Sequence, residues 1–386
     1  MDIKGLECLI LGGGIGGLAA ALALSARGAR CRVLEQAPAL REVGAGLQIS
    51  PNGFVVLEAL GLGEGLRQAS VQAKAVRLCD YSGRDVVRLD LDQLERPWYF
   101  FVHRAELLSL LVEATARMGI PIETGRRILK VRSGARPSVE DQTGAVHAAD
   151  LIIAADGLHS VARPVLNGEA TPFFTGQVAW RAVIDSDSTA PEAQVFMGPK
   201  RHLVTYPLSR GRRNIVAVEE RRSWQAESWS QTDDAENLRK AFADFGAPVR
   251  DMLARVGPVN LWGLFRHPVA RTWHADGVAL VGDAAHPTLP FLAQGANMAL
   301  EDAWGLRRAL DDASSLTGGL VAYQELRQAR AERIVSAASR NAWKYHLSFP
   351  PLRMAAHFAL RLGGSVAPRR LTGQFDWLYG YDITHD

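Results

Sequence analysis

The apolar positions of this chain fall into two textures. In the first, short uninterrupted apolar runs stop at glycine. Glu7–Leu11 (ECLIL) ends at Gly12, alanine- and leucine-rich sequence runs on to Arg27, Gly28 stops it, and Cys31–Glu35 (CRVLE) is apolar again. A short apolar run bounded by glycine reads as a strand buried on both faces. Two such strands joined by a helix run parallel, so residues 7–35 predict a βαβ unit. Leu151–Ala155 (LIIAA) and Val278–Val281 (VALV) share the texture, and the first of them is expected to be central in the same sheet. In the second texture apolar and polar residues alternate, as in Gln194–Met197, His202–Pro207 and Asn214–Val218. This predicts an antiparallel sheet with one exposed face.

Helical spacing fills the gaps between the strands. Leu107, Leu108, Leu111 and Val112 lie on one side of a helix over 104–118. Further helices are expected up to Leu60, over 295–310 and over 319–345; Arg77–Asp90 reads as a hairpin around Ser82-Gly83, and Pro38–Pro51 as turn-rich. The interleaving predicts an α/β dinucleotide domain assembled from 1–70, 100–170 and 275–310. A β-sheet substrate domain from 71–99 and 171–274 is inserted in it, and 311–386 forms a helical C-terminus. There is no internal repeat.

Composition narrows the partners. The chain has 386 residues, 47% of them hydrophobic, enough for a large core. Lys and Arg number 44 against 41 Asp and Glu, a net charge of +3, too even to imply nucleic acid or a membrane surface. Cys8, Cys31 and Cys79 stand singly with no C-x-x-C pair, which fits free buried thiols in a reducing cytoplasm, and no metal is expected. Nothing at the amino terminus reads as a secretory leader. Leu9–Ala26 carries no charge and is long enough to mimic a membrane helix. Its glycines Gly12, Gly13, Gly14, Gly16 and Gly17 would be poor in a helix interior, so no integral membrane segment is expected.

Those glycines carry the first chemical signal. Gly12-Gly13-Gly14-Ile15-Gly16-Gly17 fits G-x-G-x-x-G between a strand and a helix. Gly12 permits the tight turn, Gly14 lets backbone approach a pyrophosphate, Ile15 opens the helix, and Gly17 lets helix and strand pack closely. Glu35, at the end of the second strand, stands where an acid contacts a ribose hydroxyl and disfavours a 2′-phosphate. FAD and NAD remain equivalent at this point.

Two later segments resolve that choice. Ala155-Asp156-Gly157-Leu158-His159-Ser160-Val161-Ala162-Arg163 follows LIIAA, and Gly282-Asp283-Ala284-Ala285-His286-Pro287 follows VALV. With the glycine fingerprint they give three ordered motifs, and the chain resembles the flavoprotein aromatic hydroxylases over essentially its whole length. The resemblance implies FAD in a glutathione-reductase-type domain. It implies that Asp283 bonds the ribityl chain, and that Asp156 and Arg163 lie near the pyrophosphate and nicotinamide. Arg104 matches a family arginine that contacts the cofactor; Arg41 is a further candidate, and either could instead sit at the surface. Pro290, Gly295, Ala296, Asn297 and Met298 resemble the segment passing the pyrimidine side of the flavin. His286, inside the flavin motif, is expected to be structural or cofactor-adjacent.

The substrate is expected against the alternating sheet. His202 and Tyr206, four apart in a strand, point to one face. The pair is similar to a His/Tyr pair lining the pocket of 3-hydroxybenzoate- and 6-hydroxynicotinate-type hydroxylases. The oxygenating species in such enzymes, a flavin C(4a)-hydroperoxide, is an electrophile, so a base that ionises a phenol makes the ring a better nucleophile, and histidine suits that work. Arg181 could meet a substrate carboxylate or support the sheet; Gln48 could bond substrate or fix its loop; Phe291 offers an aromatic wall. The implied activity is monooxygenation of a small aromatic ring by NADH or NADPH and O2, in a monomer or homodimer. A single glycine fingerprint leaves no second domain for the nicotinamide, which would act transiently. An epoxidase or a purine-type heterocycle hydroxylase, and a non-enzymatic flavin-binding regulator, are the rival readings.

Overall fold

The computed structural model describes residues 2–40, 45–188, 190–222 and 232–385. The first texture becomes one six-stranded sheet. Its order is His274–Ala275, Val278–Leu280, Leu151–Ala154, Glu7–Leu11, Arg30–Leu34 and Ile122–Glu123. All neighbours are parallel except the first pair. Every residue of Leu151–Ala154 is buried, as expected of a central strand covered on both faces. The helix Ile15–Ser25 covers one face and packs against the helices Arg104–Arg117 and Gly295–Asp312. The four strands ending at Leu11, Leu34, Ala154 and Leu280 deliver the three motifs to one edge of the sheet. Ligands of open parallel sheets bind at that carboxyl edge.

The second texture becomes an eight-stranded sheet. Its order is Thr232–Asp233, Val259–Arg266, Phe173–Asp185, Arg212–Glu220, Arg201–Leu208, Glu192–Gly198, Ala75–Asp80 and Asp85–Asp90. Two sequence expectations are corrected here. The sheet is not wholly antiparallel, because Glu192–Gly198 runs parallel to Ala75–Asp80. The hairpin 75–90 arrives from a distant part of the chain, so no tight turn forces its join to be antiparallel. Nor is one face exposed. Phe196, Leu203, Trp180, Ile215 and Ala217 share a core with Leu238 of the helix Ala235–Ala241, Phe242 just after it, and Val249 and Leu253 of the helix Ala247–Ala254. The opposite face carries Val195, Met197, His202, Val204 and Tyr206 and lines an internal cavity. Its polar members face that cavity, not bulk water.

A further correction falls in the segment read as turn-rich. Gly46–Ile49 is a strand paired with Phe100–His103, which also pairs with Ser70–Gln72. This small sheet joins the two large ones. Among the described residues no helix is long and apolar enough to cross a membrane.

The helix Leu316–Tyr345 packs on Gly295–Asp312 across a buried ionic cluster. Arg327 meets Asp302 Oδ1 at 2.9 Å and Glu301 Oε2 at 2.5 Å, with all three side chains at 0% exposure. Arg330 donates to both oxygens of Glu301, at 2.8 and 2.9 Å, and to the carbonyls of Trp377 and Leu378. Asn52 donates to Glu301 at 2.6 Å, and the Gly282 amide to Asp302 at 2.9 Å. Burial alone would push both carboxyls up. Arg327 and Arg330 overcome it at Glu301, and His286 with Arg327 at Asp302, so both titrate below the ordinary range.

Removing one member of a buried ion pair strands the others in low dielectric. Arg327→Met should therefore destabilise the apoprotein by about 3–5 kcal/mol, read as a lowered urea midpoint. Because both carboxyls titrate below their unfolded values, the cluster's contribution is complete above about pH 4–5 and drains as pH falls through the lowered values. A loss below about 1 kcal/mol would put it in the range of an ordinary surface pair.

Candidate active site

One cavity of about 900 Å³ draws its lining from both large sheets. From the parallel sheet come Gly14, Ile15, Ala155, Gly157, Gly282 and Asp283; from the eight-stranded sheet come Arg181, His202, Tyr206, Val216 and Trp262. Gln48 and Arg104 line the junction, and Pro290, Phe291, Gly295 and Ala296 the side between them.

The glycines separate into two kinds. Gly12 has φ +98°, and a Cβ there would stand 2.4 Å from the Ala155 carbonyl oxygen. A Cβ at Gly17 would stand 2.1 Å from the Gly12 oxygen. Both glycines are required by the protein's own packing. Gly14 is different: it is extended, with φ −81° and ψ −176°, and a Cβ would meet nothing within 4 Å. The chain itself has no need of glycine there, and the open space is cavity. A group that must come close to the backbone supplies the need. The helices beginning at Ile15 and Gly295 both open toward this space with no acidic residue in the first turn and no side-chain cap. Their first amides and the positive helix ends suit an anion.

Asp283 is exposed on the cavity, and the protein packed around it pushes its carboxyl up. Burial likewise raises Asp156, whose Oδ2 accepts from the Val161 amide at 2.9 Å while Oδ1 has no partner among the described residues. Glu35 accepts from the amides of Gly13 and Ala37, each at 2.7 Å, which fixes its carboxylate beside the fingerprint. The loop before Gly295 is braced from several sides. Asn297 donates to the Gln48 and Ala293 carbonyls and accepts from the Ser50 amide, and Gln294 bonds Ser50 and Asn52. Ala293 is left-handed at φ +53°, a conformation that non-glycine residues hold only under such bracing.

Several candidates from the sequence therefore converge on the cavity, and others stand behind it. Gly14, Ile15, Gln48, Arg104, Arg181, His202, Tyr206, Asp283, Pro290, Phe291, Gly295 and Ala296 line it. Gly12, Gly17, Glu35, Asp156, Asn297 and Met298 do not, and lie in the layer that shapes it. Arg163 is also outside the lining; its guanidinium bonds the Ala284 and Pro268 carbonyls and ties the second motif to the third. His286 is fully buried against Asp302. Arg41 lies outside the described residues.

On the sheet face, burial holds His202 neutral well below the usual histidine range and pushes the Tyr206 phenol up. His202 packs beside Phe291 and Tyr345, with ring centroids at 5.7 and 5.3 Å. Burial lowers Arg181 to about 10; it stacks on Trp262 at 4.6 Å, and its Nε has no partner among the described residues. Tyr99 donates to Gln48 Oε1 at 2.7 Å. Tyr99, Trp262, Tyr345 and the C-terminal residues Leu352, Leu360 and Tyr379 also line the cavity, and sequence reading missed them. No local motif marks them. Only the strand register and the path of the last helices bring them in.

Residues 6–338 match the family described as FAD binding domain. The chain is 35% identical to 3-hydroxybenzoate 6-hydroxylase of Polaromonas naphthalenivorans (strain CJ2), over 98% of this chain and 96% of that protein. It is 34% identical to 3-amino-4-hydroxybenzoate 2-monooxygenase of Streptomyces cremeus, over 98% and 95%. Among solved structures, HpxO of Klebsiella pneumoniae complexed with FAD and uric acid superposes with a TM-score of 0.85 at 26% identity, covering 96% of each chain. The chain belongs to the FAD-dependent aromatic hydroxylase family, and it is an FAD-dependent monooxygenase.

Gly14→Ala tests the cradle. The added methyl should leave the thermal midpoint of the apoprotein unchanged, because no protein atom lies within 4 Å of it. It should weaken FAD binding by about 1–3 kcal/mol, the usual penalty for overfilling a fitted contact. Equal losses in apoprotein stability and in FAD affinity would mean that Gly14 serves the fold.

Proposed function

We propose that this chain hydroxylates a small phenolic ring bearing a carboxylate, using NAD(P)H and O2. The reading rests on one observation above all. The cradle of Gly14, Asp283 and Gly295 opens into the same cavity as His202, Tyr206 and Arg181. Bound FAD supplies the redox chemistry, taking electrons from NAD(P)H and providing an electrophilic oxygen atom. The chain supplies position, charge and dryness. The amides after Gly14 take the pyrophosphate, Glu35 an adenosine ribose hydroxyl, and Asp283 the ribityl hydroxyls. Arg104 adds positive charge, and the helix opening at Gly295 favours negative charge on the pyrimidine side of the ring. In this reading the six-stranded sheet forms a glutathione-reductase-type FAD domain, with the eight-stranded sheet as the inserted substrate domain and the last helices closing over it.

Arg181 is the group for a substrate carboxylate. A half-buried guanidinium whose Nε is buried and has no partner among the described residues carries a desolvation cost that an incoming anion relieves. Tyr206, held in its neutral form, orients the ring by hydrogen bonding. His202, neutral at pH 7, accepts the phenol proton and so raises the nucleophilicity of the ring. Phe291, Trp262 and the C-terminal residues exclude water. The likeness to a structure holding uric acid favours one second reading, in which the substrate is a purine-type heterocycle without a carboxylate. A cytoplasmic setting and a monomer or homodimer complete the proposal.

NAD(P)H consumption screened over hydroxylated benzoates, nicotinates and urate, with product mass measured, separates the two readings. Arg181→Gln should raise KM for the carboxylated substrates by roughly 10–100-fold, the worth of one charge-assisted hydrogen bond. An unchanged KM, or turnover confined to urate, sinks the carboxylate assignment. His202→Ala should slow hydroxylation by ~10²–10⁴-fold near neutral pH without loss of FAD. The deficit should narrow as pH rises and the phenol ionises unaided. Wild-type rates for this variant from about pH 6 to 9, a range spanning the ordinary histidine value, would move the base elsewhere.

A further inference from the structure

A base buried as deeply as His202 is a poor place to leave a proton. With 2% exposure and no carboxylate against it among the described residues, an imidazolium there would have no counter-charge but the phenolate it has just made, which would take the proton back. Its proton must move on, and the residues beside it form a path. His202 Nδ1 lies 2.6 Å from Nε2 of His346, and His346 Nδ1 lies 2.9 Å from Oε1 of Glu220. The His346 side chain is 2% exposed, whereas the Glu220 side chain is 38% exposed and reaches water.

Strand register explains why the three meet. His202 pairs with Val218, so Glu220, two residues further along that strand, shares its face. Gln177 is paired with Glu220 on the third strand and stands on the same face, its Nε2 3.4 Å from His346 Nδ1. His346 follows the long helix ending at Tyr345 and drops onto this face, where its carbonyl accepts from the Lys200 amide and the Ser348 hydroxyl. The neighbouring charges are engaged elsewhere: Arg201 pairs with Asp244, and Arg221 with Glu219.

We propose that Glu220 and His346 are positioning residues that connect His202 to solvent as a proton relay. The proposal rests on His202 as the base. The Glu220 carboxylate accepts from His346 Nδ1–H, which leaves His346 Nε2 bare to accept from His202 Nδ1–H. His202 Nε2 is then the bare nitrogen offered to the phenol. When Nε2 takes the phenol proton, the Nδ1 proton passes to His346 Nε2. The His346 Nδ1 proton passes in turn to Glu220, which releases it to water. One O–H bond breaks at the substrate, one proton appears in solvent, and no electrons move. The same path runs inward when the oxygen of the departing product is reprotonated.

The first test needs no substrate. In the FAD-loaded protein labelled with ¹⁵N-histidine, His202 and His346 should both be neutral and protonated on Nδ1. A His202 protonated on Nε2 overturns the relay, because the pocket nitrogen could not then accept. The second test mixes the holoenzyme rapidly with 3-hydroxybenzoate and an indicator dye. The wild type should release a proton to solvent, and Glu220→Gln and His346→Gln should slow that release and hydroxylation at least about tenfold. FAD affinity and KM should hold, the deficit should shrink as pH rises, and Glu220→Asp should restore part of the rate. Wild-type proton release and turnover in both Gln variants, with His202→Ala still impaired, refutes the relay and leaves the base assignment standing. Full activity in His202→Ala refutes the base itself. If 3-hydroxybenzoate does not bind, the tautomer measurement alone decides.

Discussion

The architecture of the site depends on the buried cluster of Glu301, Asp302, Arg327 and Arg330. It joins the helix that opens on the cavity at Gly295 to the long helix behind it, and both to the carbonyls near the C-terminus. Through Asp302 it takes the Gly282 amide and His286, and through Asn52 it reaches the loop carrying Gln294. Four carriers of the site, the third motif, the loop before Gly295, the segment after Ser50 and the C-terminal turn, are thereby held against one charged core. Such clusters are seldom the most stabilising filling for a volume, since well-packed apolar groups often do as well. Their directional bonds admit fewer arrangements. A cavity that must hold a flexible dinucleotide and a small ring in fixed relation benefits from that restriction.

The parts legible in the sequence were those where a local rule demands a residue. Parallel buried strands require unbroken apolar runs, and so Glu7–Leu11, Leu151–Ala155 and Val278–Val281 stood out. The turn at Gly12 requires a positive φ, and the crossing at Gly17 leaves no room for a side chain. What escaped depends on contacts distant along the chain. Glu220 and His346 are 126 residues apart, and nothing in the sequence around either hints at the other. The expectation of an exposed sheet face failed for a related reason. Alternation records that two faces differ, not what covers the second. Here polar side chains face an enclosed cavity, and the last helices, whose own pattern gives no docking partner, cover it.

The cavity is chemically divided, and the division follows from the two sheets. At the carboxyl edge of the parallel sheet, backbone amides suit the negative charge of a dinucleotide, and one carboxyl on the cavity wall suits its hydroxyl donors. On the eight-stranded sheet, aliphatic side chains surround a histidine kept neutral, a phenol kept protonated and an arginine with an unpartnered nitrogen. Burial drives each of these states. A dry cavity strengthens the interaction of Arg181 with an anion, yet penalises any charge that cannot leave. The proposed binding of a charged ring and its ionisation in the same place would therefore call for an exit for the proton.

The fate of molecular oxygen distinguishes monooxygenation from simple oxidation of NAD(P)H. The holoenzyme, supplied with NAD(P)H, ¹⁸O₂ and the ring that most accelerates NAD(P)H consumption, should yield a product carrying one ¹⁸O atom. One such product should form per NAD(P)H oxidised, with little hydrogen peroxide. Hydrogen peroxide as the sole product with every carboxylated phenol and heteroaromatic ring tried would contradict monooxygenation.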